Sequence, residues 1–389
     1  MLQIDLPTEH ATEILARDCV ALCPPHATIL LKGDLAAGKT VFARAFIRAL
    51  MQDPSYVVAS PTFQLVQIHE TMSGPVYHYD LYRIDDADEL LELDLDAGAA
   101  ARATLIEWPE RLGDIEKNLR QVIRIELVVT GANSRRAQID FGDVLKSPDT
   151  AFIFAAGLGA RMRPLTDTVP KPLVPVASRP ILTYAFDTLQ QSGISRVVMN
   201  THYHPDQINA FAASQRRYFD IEISHENELL ETGGGLVRAL PAMARDTFFA
   251  LNGDALILDT PGALPYITHL AARFDPDQMD ILLLLYPVDA KTVTPLVGDY
   301  DLDPATGRLT RALHQQGKYM FMGARILHAR VLRDLAPTRF SFLTLMDQAQ
   351  KEGRLFGIVH TGTWHHLSTP EDVRIVSRVL EQEKRDNAA

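Results

Sequence analysis

Two stretches of the chain repeat one pattern: a short apolar run, a glycine-bearing loop, and then apolar positions at helical spacing. The first is an apolar strand over 28–31, the loop GDLAAGKT at 33–40 and the helical segment VFARAFIRAL. The second starts with AFIF at 151 and runs through AAGLGARMRPLT into an expected helix. Further strands are predicted: a short apolar one before SPTF at 60–63, one ended by HYDLYR at 78–83, and a buried one in LIEWPERL at 105–112. FFALNGD is read as a strand ending at Asp254, and LETGGG at 230–235 opens a helix, LVRALPAM. This order predicts an α/β architecture. A short strand and then a Ser/Pro/Asp-rich link within 130–150 place a domain boundary at 147/148.

Composition narrows the reading. At about 150 residues per domain, 389 residues predict two or three domains, and 47% hydrophobic with 22% charged residues is ordinary for globular chains. The net charge of −11 argues against a broad basic face for nucleic acid. Residues 1–148 hold 14 Lys/Arg against 22 Asp/Glu, and the remainder 24 against 27, so the excess acid lies mainly in the first part. Cys19 and Cys23 share one face of an expected helix and read as buried free thiols. MLQIDLPTEH has neither a basic nor an apolar leader region, and the run at 281–285 is far too short to span a membrane. The expectation is a cytoplasmic protein without membrane contact.

Gly33, Gly38, Lys39 and Thr40 satisfy G-x-x-x-x-G-K-[ST]. Glycines let backbone amides wrap a triphosphate, the lysine reaches its outer phosphates, the threonine hydroxyl ligates magnesium, and the helix start adds its positive dipole end. Such a loop needs a further carboxylate and a water-positioning group. Thr62 and Asp80 at strand ends, and Glu107 with Trp108, are candidates. Taken singly, Asp80 also reads as a turn residue, Trp108 as a core aromatic and His78 as a strand histidine.

Together GDLAAGKT, SPTF, HYDLYR and LIEWPERL resemble the TsaE-type ATPases of bacterial tRNA threonylcarbamoyladenosine synthesis, over nearly all of 1–145. The resemblance implies a small P-loop domain that binds ATP and Mg2+. It implies action with TsaB and TsaD type proteins to form N6-threonylcarbamoyladenosine at tRNA position 37, the tRNA being met indirectly through them. It implies a nucleotide site of Gly33, Ala37, Gly38, Lys39, Thr40, Val41, Thr62, Glu107 and Trp108. Lys39 and Asp80 are then catalytic, Thr40 and Asp80 metal-binding, and Thr62 a switch-like threonine. The chain departs from the family pattern at Ala36 and Asp94, where glycine is usual, and at Val41, where a hydroxyl is usual. Ala36 is tolerated at negative φ or at a strain of about 1 kcal/mol.

In the second half, Gly157 and Gly159 let amides approach phosphate while Arg161 and Lys171 bring two cations. A dinucleotide fingerprint fails at Met162. Attack of a phosphate oxygen on the α-phosphorus of a nucleoside triphosphate spreads negative charge onto departing pyrophosphate, which cations and a metal stabilise. Asp254, after Gly253, is the expected metal ligand. The three glycines of LETGGG are expected to lie against ligand.

RMRPLT, PKPLVPVA, LETGGG with RALP, and LNGD resemble the sugar-1-phosphate nucleotidyltransferases over 151–380, most closely the N-acetylmuramate 1-phosphate uridylyltransferases of peptidoglycan recycling. The resemblance implies a Rossmann-like mixed-sheet domain joining an NTP, UTP by this likeness, to a sugar 1-phosphate. It implies that Gly157, Gly159 and Arg161 bind triphosphate, Lys171 the reacting phosphates, Glu231, Thr232 and Gly233 the sugar, and Asp254 Mg2+, with Arg161, Lys171 and Asp254 catalytic. The family's second metal carboxylate is replaced by His366, a poorer partner for hard magnesium. Two alternatives stay open: a mannose- or glucose-1-phosphate nucleotidyltransferase, and a weakened sugar-nucleotide-binding module.

Overall fold

Apolar runs bounded by loops become buried strands in the computed structural model, which describes residues 1–61, 64–84, 89–90, 93, 95, 101–290 and 292–386. The chain divides into two compact units: Met1–Lys146 with Thr260–Pro265, and Ser147–Asp259 with the chain from Tyr266 onward.

Among the described residues the first unit holds a seven-stranded sheet. Its strands are β1 (Leu2–Leu6), β2 (Ala27–Lys32), β3 (Val66–Thr71), β4 (Gly74–Asp80), β5 (Ala103–Glu107), β6 (Val122–Val129) and β7 (Arg135–Asp140), in the order β1-β7-β6-β2-β5-β4-β3. β2 is parallel to β5 and β6, and β4 to β5, while β1, β3 and β7 pair antiparallel. Strands covered on both faces are apolar throughout, and every residue of β5 is buried, Glu107 included. The register Leu31↔Glu107↔Asp80 brings the carboxyl ends of β2, β5 and β4 to one edge. The helix Lys39–Met51 buries Phe42 and Phe46 against Ile29, Leu31 and Leu105. The helix Glu9–Leu22 starts at Thr8, whose hydroxyl accepts from Ala11 N at 3.2 Å. Cys19 lies in this helix and Cys23 caps it; both thiols are free, buried and pushed up by burial. One expected strand does not form: 56–61 is irregular, with Val57 exposed beside buried Val58. The apolar run there is too short to pair and is stopped by Pro61.

The second unit contains a nine-stranded mixed sheet among the described residues. Its strands are β8 (Thr150–Phe154), β11 (Arg196–Thr201), β12 (Asp220–His225), β13 (Thr247–Asn252), β15 (Ile281–Pro287), β18 (Tyr319–His328) and β19 (Leu355–Val359), ordered β12-β11-β8-β13-β18-β15-β19, with β16 (Tyr300–Leu302) and β17 (Leu309–Arg311) alongside. Short ribbons pair β9 (Pro175–Val176) with β10 (Arg179–Pro180), and β14 (Leu256–Leu258) with β20 (Thr363–His365). β12, β11, β8 and β13 are parallel, and β18 is inserted antiparallel. The carboxyl ends of β8, β11 and β13 therefore share one edge. The helix expected directly after the second glycine loop is not there. Single 3-10 turns at Ala160–Met162, Leu165–Asp167 and Lys171–Leu173 take its place, and the next α-helix is Ile181–Gln191. Pro164, Pro170 and Pro172 remove the amides a continuous helix needs. The helix opened by LETGGG is present as Glu231–Ala239.

Candidate functional site

In the first unit the loop after β2 is shaped by backbone demands. Gly33 (φ +143°) faces the Leu127 carbonyl so closely that a Cβ would stand 2.5 Å from its oxygen, and Gly38 (φ +105°) caps the helix Lys39–Met51. Ala36 occupies the left-handed region at φ +62°, so the strained alternative is the one realised. Lys39 is buried: Nζ donates to the carbonyls of Gly33 (2.6 Å) and Asp34 (2.9 Å) and lies 3.7 Å from the centre of the Trp108 ring. Burial lowers its pKa, against the opposing pull of Glu107, Glu110, Asp80 and Asp34.

Thr40 Oγ1 donates to Glu107 Oε2 at 3.0 Å, while the other carboxylate oxygen, Oε1, meets His78 Nε2 at 2.9 Å. His78 and Glu107 are both buried, and the imidazole fixes the carboxylate so that one oxygen faces Thr40. Asp80 ends β4, its Oδ1 accepting from Tyr82 N at 3.1 Å and its Oδ2 from Ser60 Oγ at 3.3 Å. Trp108 (φ +62°) lies beside Tyr82, ring centres 5.0 Å apart and planes tilted by 48°. A hydroxyl and two carboxylates at one sheet edge form the hard oxygen set that magnesium takes beside phosphates. Ala37 is buried in the loop and Val41 is half-buried in the helix's first turn. Thr62 and Asp94 lie outside the described residues.

Arg135, at the start of β7, has no signal in the sequence. Its guanidinium donates to Ala37 O (3.1 Å) and Ala36 O (3.2 Å), and also to Gly131 O (3.2 Å) and Ser134 O (3.0 Å). It fastens the strained part of the loop to the β6–β7 turn.

In the second unit a pocket opens at the shared carboxyl edge of β8, β11 and β13. Gly157, Gly159, Arg161, Lys171, Glu231, Thr232 and Asp254 all line it. A Cβ on Gly157 would meet nothing within 4 Å, whereas one on Gly159 (φ +61°) would lie 3.0 Å from Lys171 and Thr166. Lys171 Nζ pairs with Asp254 Oδ2 at 2.7 Å. Burial pushes the Asp254 carboxyl up, but the Lys171 ammonium and its hydrogen bond hold it below the usual range. Arg161 makes no ion pair among the described residues, leaving a cation at the pocket. Glu231 accepts from Arg339 Nε at 2.9 Å, and Thr232 Oγ1 accepts from Phe342 N at 2.9 Å.

The glycine run is corrected. Gly233 is buried in the helix with the Phe340 ring filling the space of its missing side chain, and its amide donates to Phe340 O at 2.9 Å. Gly234 abuts the Thr338 carbonyl and Gly235 the Glu226 carboxylate. The chain's own packing, not ligand, requires these glycines. His366 is half-buried, its Nε2 2.6 Å from the hydroxyl of Ser368, which lines the pocket. Burial lowers its pKa, with Lys171 and Arg161 adding to the effect against the opposing pull of Asp254 and Asp372. Among the described residues no three His, Cys, Asp or Glu side chains gather as a metal cage. Asn200 and Asn252 also line the pocket and were not singled out from sequence, although Asn252 is visible there as a polar residue ending an apolar run.

Comparison with known proteins follows the same division. Residues 6–137 match the family model described as threonylcarbamoyl adenosine biosynthesis protein TsaE, and 150–293 the model described as nucleotidyl transferase. An N-acetylmuramate alpha-1-phosphate uridylyltransferase of Caulobacter vibrioides is 30% identical over 230 residues, covering 58% of this chain and 94% of that protein. A tRNA threonylcarbamoyladenosine biosynthesis protein TsaE of Rickettsia felis is 36% identical over 136 residues, covering 34% of this chain and 77% of that protein. An inositol-1-phosphate CTP transferase structure from T. maritima superimposes with a TM-score of 0.50 at 17% identity, over 60% of this chain and 97% of that one, which shows a shared fold.

Proposed function

Because the chain belongs to the TsaE family over its first part and to the N-acetylmuramate 1-phosphate uridylyltransferase family of nucleotidyl transferases over its second, we propose that it is a bifunctional enzyme. The first domain, 1–147, binds and hydrolyses ATP in forming threonylcarbamoyladenosine on tRNA. The second, 148–389, transfers a nucleotidyl group from UTP to N-acetylmuramate 1-phosphate in peptidoglycan recycling. Among the described residues no helix is long and apolar enough to cross a membrane, and a cytoplasmic location suits both substrates.

The observation that carries the transferase reading is the Lys171–Asp254 pair at 2.7 Å in a pocket that Arg161 also lines. In this reading a phosphate oxygen of the sugar 1-phosphate attacks the α-phosphorus, a P–O bond forms, and the bond to pyrophosphate breaks. Lys171 and Arg161 hold the charge that gathers on the phosphoryl oxygens. The open face at Gly157 admits the triphosphate against backbone amides. Asp254 is the residue that would hold magnesium, and Glu231 and Thr232 border the sugar. A bound magnesium would neutralise phosphate charge and fix the geometry for in-line displacement.

For the ATPase, the Thr40–Glu107–His78 chain of hydrogen bonds is the supporting observation. Thr40 with Glu107 and Asp80 would hold magnesium, and Lys39 would exchange its loop carbonyls for the outer phosphates. TsaB and TsaD type proteins are its proposed partners and present the tRNA, consistent with the acid excess of 1–148. Hydrolysis of ATP with magnesium, measured with and without these proteins, tests the first domain. Pyrophosphate release across UTP, GTP and dTTP against muramate, mannose and glucose 1-phosphates tests the second. UTP with N-acetylmuramate 1-phosphate is expected to give the highest kcat/KM; preference for another pair would assign the domain to that reaction.

A further inference from the structure

Arg325 is a cation in an unusual place. It sits on β18, opposite Ala250 of β13 and Leu283 of β15, and is only 2% exposed. Three aromatic rings surround its guanidinium carbon, with centres 4.8 Å (Phe154), 5.0 Å (Phe321) and 4.5 Å (Phe342) away. Among the described residues no carboxylate pairs with it. Burial lowers its pKa to about 9, with Tyr300 acting in the opposite direction. Holding a charge in such a setting is unfavourable unless something charged or strongly polar answers it. Its hydrogen bonds go to Ala250 O (Nε, 3.3 Å) and to Asn252 Oδ1 (Nη2, 2.8 Å).

Arginine only donates, so the Asn252 atom facing it is the amide oxygen, and the NH2 group turns the other way. Asn252 lines the pocket, as does Phe154 of the aromatic cage. Its Nδ2 has no acceptor among the described hydrogen bonds. Gly323 (φ +91°) is what lets the amide lie there, since a Cβ would stand 3.0 Å from both Asn252 Cβ and Nδ2. Arg325, Gly323 and Asn252 therefore form a built support for one amide donor on a residue that lines the pocket, with a buried positive charge behind it.

We propose that Arg325 is a positioning residue that orients Asn252 to donate from Nδ2 to an anionic oxygen of the acceptor sugar 1-phosphate. The inference rests on the transferase reading above. The oxygen belongs either to the 1-phosphate or to an acidic substituent on the sugar, and both present the same chemistry to the amide. A donor backed by positive charge favours such an oxygen over a neutral hydroxyl.

The test uses the full-length chain and measures kcat and separate KM values for NTP and sugar 1-phosphate, with thermal midpoints. Pyrophosphate release by the wild type is established first, and its absence removes the transferase reading itself. Asn252→Asp replaces the donor with an acceptor and gives Arg325 a carboxylate partner. It is expected to hold or raise the thermal midpoint yet raise the sugar 1-phosphate KM by about tenfold or more, with the NTP KM unchanged. Arg325→Met keeps an apolar fit to the aromatic cage and is expected to raise the same KM, with Arg325→Lys restoring part of it. Comparing an acid-bearing sugar 1-phosphate with a neutral one locates the oxygen: equal losses place it on the phosphate, and loss confined to the acid-bearing sugar places it on the substituent. An unchanged sugar 1-phosphate KM in a folded Asn252→Asp protein, or equal rises in both KM values, would overturn the proposal.

Discussion

Ala36 holds a conformation that costs an alanine roughly 1 kcal/mol, and Arg135 donates to its own carbonyl and to that of Ala37. Backbone strain persists where neighbours over-determine it, and Arg135 is that neighbour here. Ala36→Gly should stabilise the first unit by up to about 1 kcal/mol, read as a higher midpoint in denaturant; a lower midpoint would contradict the strain. Arg135→Ala should cost about 1–3 kcal/mol and weaken ATP binding, and adding Ala36→Gly should recover part of that loss. If the double variant binds ATP no better than Arg135→Ala, the two residues are not coupled. Lys39, Thr40 and Asp254 could be singled out as candidates because their motifs are local. Arg135 and Arg325 could not, because their hydrogen-bond partners lie far away in sequence. The same holds for Gly233–235, whose packing partners Phe340, Thr338 and Glu226 no local pattern reveals.

At the scale of elements, strands buried on both faces were legible as continuous apolar runs, and the helix after the first loop as apolar positions at helical spacing. The helix expected after the second loop was not realised, since proline spacing there overrides the repeated pattern. The helix Lys39–Met51 both carries Lys39 and Thr40 and anchors the core through Phe46. Phe46→Ala should cost about 3–5 kcal/mol and weaken ATP binding, and a loss under 1 kcal/mol, measured by denaturant unfolding, would contradict this anchoring. Beyond β19, His360 is buried with Nε2 3.1 Å from Leu258 O, and burial, aided by the charge of His269, lowers its pKa from 6.5 to about 4. The unfolded chain therefore takes up this proton first as pH falls. The contribution to stability is intact above pH 6.5 and is lost between 6.5 and 4. It amounts to about 3 kcal/mol, and His360→Gln should flatten the acid side of the stability profile. An equally steep fall in that variant would assign the pH dependence to other groups.

For the whole molecule, the described residues of each candidate site belong to one unit: Lys39, Thr40, Asp80 and Glu107 to the first, Arg161, Lys171 and Asp254 to the second. The uneven charge follows this division, with acid concentrated in 1–148 and the remainder nearly balanced. Perturbations at independent sites add without interaction, so the two activities should be separable within one chain. The decisive measurement is release of phosphate from ATP and of pyrophosphate from UTP plus N-acetylmuramate 1-phosphate, on full-length wild type, Lys39→Ala and Asp254→Ala, with TsaB and TsaD type proteins present for the phosphate assay. Lys39→Ala should lose phosphate release and keep pyrophosphate release, and Asp254→Ala the reverse. Pyrophosphate release unchanged in Asp254→Ala, or both activities lost from one substitution in a folded chain, would contradict two separate sites.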